Sequence, residues 1–394
     1  MAATFSYSPF ERMTTQDMQE LAQVLWSWST CGECIPRSCT KGSCPNNRMN
    51  RLEHIFRYYR ALLAGYDSDS LLVEPRQSGA LRSYDDLYRV LEYIKMYPEA
   101  TKAELLKGLF ADSIDAESSI ADQEQAVNLA LRIMLMVNCC SRFLSLGLLE
   151  SGMSQITWKD NVGLSQYISD IFPMTDHPSL NDGEDQRSPS LKNSLTALKL
   201  KKRAGLRFQG TNYLTDHLKL DRKTGVVEVF HHTAFLKEHL LLTRAEPINI
   251  SVSESLRVGA LPRQLALEAL DSIQKVLFPL DDPKSKVLLQ SLVSVAAFDP
   301  DCLRFESAAI RKLDEKDIPY HYFGARLADL YEELQDPTPR GIERWFERKS
   351  GARYVMMATL IGVIIALILG IASLGVSVYQ AWISYQAWKY PVHQ

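Results

Sequence analysis

Tyr354-Val-Met-Met-Ala-Thr-Leu-Ile-Gly-Val-Ile-Ile-Ala-Leu-Ile-Leu-Gly-Ile-Ala-Ser-Leu-Gly-Val-Ser-Val378 decides how this chain is read. Its apolar core, Val355 to Val378, is 24 residues long, and the 35 residues from Tyr354 to Trp388 contain no Asp, Glu, Lys or Arg. As a helix the core measures about 36 Å, at about 1.5 Å per residue, against a hydrocarbon layer of about 30 Å. In lipid the backbone must satisfy its own hydrogen bonds, so a run of this length predicts one transmembrane helix over 354–378. A buried helix of a soluble core is the alternative, but such helices seldom run this far without a charge.

The flanks agree. Trp345, Phe346 and Tyr354 lie on one side; Tyr379, Trp382, Tyr385, Trp388 and Tyr390 lie on the other, as aromatic belts at the headgroup level would. Arg340, Arg344, Arg348, Lys349 and Arg353 precede the span and Lys389 alone follows it. Positive flanks stay cytoplasmic, so the expectation is a single-pass, tail-anchored protein with a cytosolic N-terminal part, on an endomembrane by preference. Its first partner is then the lipid bilayer. Ala358, Gly362, Ala366 and Gly370 recur every four residues and share one helix face, where small side chains let backbones approach. Self-association through that stripe is the expected use.

Upstream, the chain reads as helical. The 394 residues carry 44 Lys+Arg against 47 Asp+Glu, a net charge of −3, which gives no electrostatic footprint for nucleic acid. The basic run Lys199-Leu-Lys-Lys-Arg203 reads as a solvated helix face. The N-terminus has no apolar run after a basic start and so no secretory signal. Apolar residues at helical spacing predict helices over 15–28, 47–64, 84–97, 123–146, 162–172, 262–277 and 318–334, with a capping box at Thr101-Lys-Ala-Glu104 opening a shorter one. Gln155 to Trp158 reads as a short strand, and three helices followed by a strand are compatible with a winged-helix module. Residues 173–194, with His-Pro, Asn-Asp-Gly and Ser-Pro steps, read as a linker. The β-branched and aromatic run after Asp221–Gly225 predicts one hairpin over 219–230. The expected organisation is a helical domain over 1–172, the linker, a helical domain with the hairpin over 195–336, a juxtamembrane segment over 337–353, the span, and an aromatic tail over 379–394. The fold class is mainly α.

Two groups of residues suggest chemistry. Cys31, Cys34, Cys39 and Cys44 have the spacing C-x2-C-x4-C-x4-C, and four thiolates within 14 residues can close a tetrahedral zinc site. The spacing is similar to that of the zinc-knuckle family, whose third ligand is normally His where this chain has Cys39; the aromatic and glycine pattern of knuckles is missing, so the resemblance implies metal rather than nucleic acid. His54 lies near enough in sequence to replace one cysteine. Read without metal, the segment is a Cys-rich loop between two helices. Seven cysteines, an odd number on a cytosolic face, argue against a disulfide framework. The second group is His231, His232 and His239 after the hairpin. No carboxylate or Cys pattern accompanies them, and they read as core or helix-surface histidines. There is no Gly-rich phosphate loop, GxSxG elbow or HExxH, so no catalytic residue is nominated and an enzyme ranks last.

One resemblance covers residues 205 to 391. Asp216-His-Leu-Lys-Leu, Val-Phe230-His-His-Thr-Ala-Phe235-Leu, Tyr320-His-Tyr-Phe-Gly-Ala-Arg-Leu-Ala-Asp-Leu-Tyr-Glu-Glu-Leu and Glu347-Arg-Lys-Ser-Gly-Ala-Arg-Tyr-Val-Met-Met-Ala-Thr-Leu-Ile-Gly-Val resemble segments of an uncharacterised membrane-protein family of filamentous fungi. The resemblance implies a membrane protein and no particular reaction. The leading functional expectation is a membrane-tethered interaction or scaffold protein. A membrane-anchored regulator with a zinc-stabilised, winged-helix-like N-terminal domain comes second.

Overall fold

The computed structural model describes Phe10 and residues 13–31, 44–70, 80–111, 119–137, 157–176, 194–295, 298–305, 309–340 and 353–389. It is mainly α, as the periodicity predicts, with one small sheet. Residues 1–337 form one unit and 338–394 a second.

In the first unit, α1 (Thr15–Trp26) opens on a capping box: Thr14 Oγ1 accepts from Asp17 N, and Asp17 Oδ2 accepts from Thr14 N. It ends where Ser27 turns left-handed, at φ 51°. A 3-10 turn over Pro45–Arg51 leads into α2 (Glu53–Ser70), which buries Ile55, Phe56, Tyr59 and Leu63. α3 (Tyr84–Met96) buries Leu87, Val90, Leu91 and Ile94; α4 (Lys102–Phe110) starts on the predicted Thr101–Glu104 box. α5 (Ile120–Leu135) is capped by Ser119 and closes at a left-handed Met136, short of the expected end at 146. α6 (Leu164–Ile171) follows. Trp158 is not in a strand, and 155–156 lie outside the described residues, as do 177–193 of the expected linker.

After α7 (Ala197–Arg203) comes the sheet: β1 (Arg207–Thr211), β2 (Leu220–Asp221) and β3 (Val226–Phe230), in the order β1-β3-β2. The expected hairpin is the antiparallel β2–β3 pair. Its turn is closed by Gly225 N on Asp221 O and by Asp221 side-chain bonds to Lys223 N and Thr224 Oγ1, with Gly225 left-handed at φ 70°. β1 adds a parallel strand, with Thr211 beside Phe230, that the predicted hairpin does not include.

α8 (Thr233–Leu242) is buried over most of its length. α9 (Val252–Arg257) and α10 (Arg263–Asp271) follow, the latter running into a π turn over Ser272–Leu277, then α11 (Pro283–Val295) and α12 (Gly324–Gln335). The expected helix over 318–334 begins at Gly324 instead, because the amides of His321, Tyr322 and Phe323 are held by the buried Glu268 carboxylate.

The segments on either side of 173–194, expected as two domains, share one hydrophobic core. α1 packs on α8, and α9 packs on α3 and α6. Leu214 N donates to Met136 O at 2.9 Å and Thr175 N to His321 O at 2.8 Å. Burying apolar surface contributes about 25 cal/mol per Å², and neither half would keep its inner face dry alone. The largest charge inside this core is paired. Arg263, fully buried, meets Glu315 through both guanidinium arms at 2.5 and 2.6 Å and donates further to the carbonyls of Leu240 and Ile310.

The second unit is described through α13 (Arg353–Lys389). Its stretch Thr359–Gln386, 28 residues, is long and apolar enough to cross a membrane, and none of it is buried. The helix continues eleven residues beyond the expected end at Val378, through the aromatic tail. A Cβ added at Gly362 or Gly370 would meet nothing within 4 Å.

Candidate metal centre

β3 ends by delivering His231 and His232 into the core, and His232 is the residue from which α8 starts. The approach is close. A Cβ on Gly210 of β1 would come within 2.7 Å of the His231 ring and 3.1 Å of Phe298, so only glycine fits there. α2 brings a third histidine: His54 is half-buried, one residue before the buried Ile55, and its ring centre lies 5.4 Å from His231 and 5.5 Å from His232. One nitrogen from each of the three falls within 4.8 Å of the others.

The turn around Pro300 supplies a carboxylate. Asp299 is buried, and its Oδ2 lies 4.0 Å from His232 Nδ1. Neither atom has a hydrogen-bond partner among the described residues. Each group is oriented by its other end. Asp299 Oδ1 accepts from Asp301 N at 2.9 Å; Asp299 N donates to His231 Nδ1 at 3.1 Å. His232 Nε2 sits 2.7 Å from Asn212 Oδ1, an oxygen that only accepts, so this nitrogen carries the proton and Nδ1 keeps its lone pair. Behind Asp299, Lys237 holds Asp301 at 2.6 Å, Thr233 Oγ1 donates to the same carboxylate, and Cys302 Sγ donates to His231 O.

Burial governs the electrostatics. Desolvation lowers His231 to about 3, with the neighbouring His54 adding to the effect, and pushes His232 well below the ordinary range, so these rings are neutral. Desolvation also raises Asp299 to about 7, with Asp301 N opposing. Neutral imidazoles beside a carboxylate form a donor set suited to borderline divalent metals.

His239, grouped by sequence with His231 and His232, is not part of this cluster. Its Nδ1 accepts from Leu261 N at 2.9 Å, a core role that its sequence reading anticipated. His54, read as a substitute in the cysteine site, faces the histidines instead. Of the four cysteines, Cys31 and Cys44 are described: Cys31 N donates to Cys44 Sγ at 3.5 Å, so the two ends of the loop are neighbours. Cys34 and Cys39 lie outside the described residues. The segments flanking the loop meet at Glu238 of α8, which takes Arg48 at 2.7 and 2.9 Å and Trp28 Nε1 at 3.1 Å. The stripe Ala358, Gly362, Ala366 and Gly370 lies within α13 as spaced. Sequence could have paired His231 with His232 by adjacency. It gave no sign of Asp299, which arrives from 68 residues downstream.

No protein-family model, curated protein or solved structure matches the chain.

Proposed function

We propose that the chain is a single-pass membrane protein, a helical interaction platform tethered to a bilayer by α13, with residues 1–337 on the cytosolic side. The observation that carries this reading is the exposure of Thr359–Gln386, an apolar helix of 28 residues with none of it buried. Water does not tolerate such a surface at about 25 cal/mol per Å², and hydrocarbon does. The orientation rests on the arginines before the span. An open cleft of about 300 Å³ lies near the π turn, and three of its charged groups serve packing, Asp271 holding both Arg311 and Lys275.

The test is alkaline carbonate extraction of native membranes followed by protease treatment of sealed microsomes. The full chain is expected in the pellet, with an N-terminal tag digested and a C-terminal tag protected. Recovery in the supernatant overturns the anchor, and a protected N-terminal tag overturns the orientation. Proximity labelling then tests the platform: a reproducible partner set is expected for the full chain, and labelling no different from a soluble control overturns it.

A second reading, a regulator whose cysteine loop is closed by zinc, is supported by the 3.5 Å approach of Cys31 N to Cys44 Sγ. Changing Cys34 and Cys39 to Ser is expected to remove one zinc per chain; unchanged zinc content overturns it.

A further inference from the structure

The cluster of His54, His231, His232 and Asp299 contrasts with three other buried charged groups: Arg263 meets Glu315, Lys237 meets Asp301, and Glu268 collects three amides. Here two buried atoms that both present lone pairs, His232 Nδ1 and Asp299 Oδ2, face each other at 4.0 Å with nothing donating to either. At that separation a proton on one cannot make a hydrogen bond to the other. Two buried acceptors left this way are destabilising. An ion between them removes the penalty.

We propose that this cluster binds one divalent transition-metal ion of the zinc and iron(II) class, with His54, His232 Nδ1 and Asp299 Oδ2 as ligands. Two imidazoles and one carboxylate are the donor set that open zinc and non-haem iron(II) sites use. His232 is already arranged for it. Its Nε2–H is spent on Asn212 Oδ1, the outer hydrogen bond that fixes the tautomer of a metal-ligating histidine. His231 has a different part. Its Nδ1 is occupied by the Asp299 amide, and in the neutral ring the remaining nitrogen bears the proton, so it holds Asp299 in place and walls the site rather than ligating. The nitrogens of the three rings lie within 4.8 Å, whereas two nitrogens on one tetrahedral zinc stand about 3.4 Å apart, given bonds of about 2.0–2.1 Å. Rotation of the half-buried His54 ring, from the outer side, is the movement available to close the site.

This site is separate from the cysteine loop, and one experiment distinguishes the two. The full chain is purified in detergent, stripped with chelator and titrated with cobalt(II), whose visible absorption reports its ligands. The expected result is one cobalt per chain with d–d bands, and these bands persist when Cys31, Cys34, Cys39 and Cys44 are all changed to Ser. His232→Ala and His54→Gln are expected to weaken cobalt binding at least 10-fold, about 1.4 kcal/mol or more. His231→Gln is expected to weaken it less. The absence of d–d bands in the cysteine-free chain, or bands unchanged in His54→Gln, overturns the proposal. His54→Gln keeps that test decisive should His232→Ala fail to fold, because position 54 is only half-buried. Structural zinc measured on the same cysteine-free preparation gives a second reading, with about one zinc per chain expected and a value near zero against it.

Discussion

The two units obey opposite rules. The core of residues 1–337 is built from hidden apolar side chains, and its largest buried charge is paired: Leu21, Phe56, Tyr59 and Phe235 are fully buried, and so is Arg263 beside its glutamate. In α13 the described apolar side chains are outside: Leu367, Leu369 and Ile371 are each more than 60% exposed, and from Tyr354 to Trp388 no charge is present. Under the proposed function, the same residue types are placed by two different solvents. A leucine in the first unit contributes by leaving water; a leucine in the second contributes nothing to that unit's packing and everything to where the helix can reside.

That contrast can be broken most sharply in α13. Placing Arg at both Ile365 and Ile368 is expected to release the chain from carbonate-washed membranes, because each central arginine costs about 2.5–3.5 kcal/mol of insertion. The far-UV circular dichroism of residues 1–337 should survive unchanged. A pellet that still holds the double variant would refute the membrane assignment of this helix.

The next test swaps matched truncations between the units. Phe56→Ala, in the core, is expected to cost about 3–5 kcal/mol of unfolding free energy, read from the urea midpoint of the detergent-solubilised chain. Leu367→Ala should leave the same transition where it was. Arg263→Met belongs with the first group: it strands Glu315 in the core, and breaking such a pair costs about 3–5 kcal/mol. Changing Glu315 to Met as well should recover a large part of the loss.

Acid gives a graded version. His217 is fully buried; its Nδ1 accepts from Phe230 N, its Nε2 pairs with Ser272 Oγ at 2.7 Å, and Arg326 lies alongside. Burial first, then Arg326, lower it to about 3, against 6.5 for the free side chain. The folded form thus refuses a proton that the unfolded chain accepts. The stability His217 contributes is complete above about pH 6.5 and is lost as the pH falls from there toward 3, by up to about 1.4 kcal/mol per pH unit. Asp299, raised to about 7, works in the opposite sense between about 4 and 7, so the comparison must be with a variant. His217→Asn is expected to flatten the loss between pH 6.5 and 3, and equal slopes would exclude the role. The smallest effect is at the surface. Arg222 and Asp329 meet at 3.5 Å with both side chains more than half exposed, and Arg222→Ala should move the urea midpoint by less than about 1 kcal/mol.

How much of this was legible depends on how local the cause is. α3, the Thr101–Glu104 cap and the 221–225 turn were readable because periodicity, caps and turns involve neighbours in sequence. β1 was not: Arg207-Phe-Gln-Gly-Thr211 has one large apolar residue and becomes a strand only because β3 pairs with it in parallel. The start of α12 was missed because Glu268, more than fifty residues earlier, holds the amides before it. The metal cluster fails for the same reason. His231 and His232 are adjacent in sequence, but His54 and Asp299 reach them from α2 and from the turn around Pro300, and no spacing rule connects those positions. The cysteine loop is the reverse case, conspicuous by spacing alone.

The bond from Trp28 Nε1 to Glu238 spans 210 residues of chain, and Arg48 waits for the same carboxylate. At about 5–20 residues per second, the ribosome makes Glu238 roughly 10–40 s after Trp28. For that interval the indole and the guanidinium have no acid to meet, and the inner face of α1 has no α8 to lie against. Anything that guards newly made chains therefore meets this protein first as an open set of amphipathic helices. The apolar helix α13 follows only after the residues that close those helices have been made.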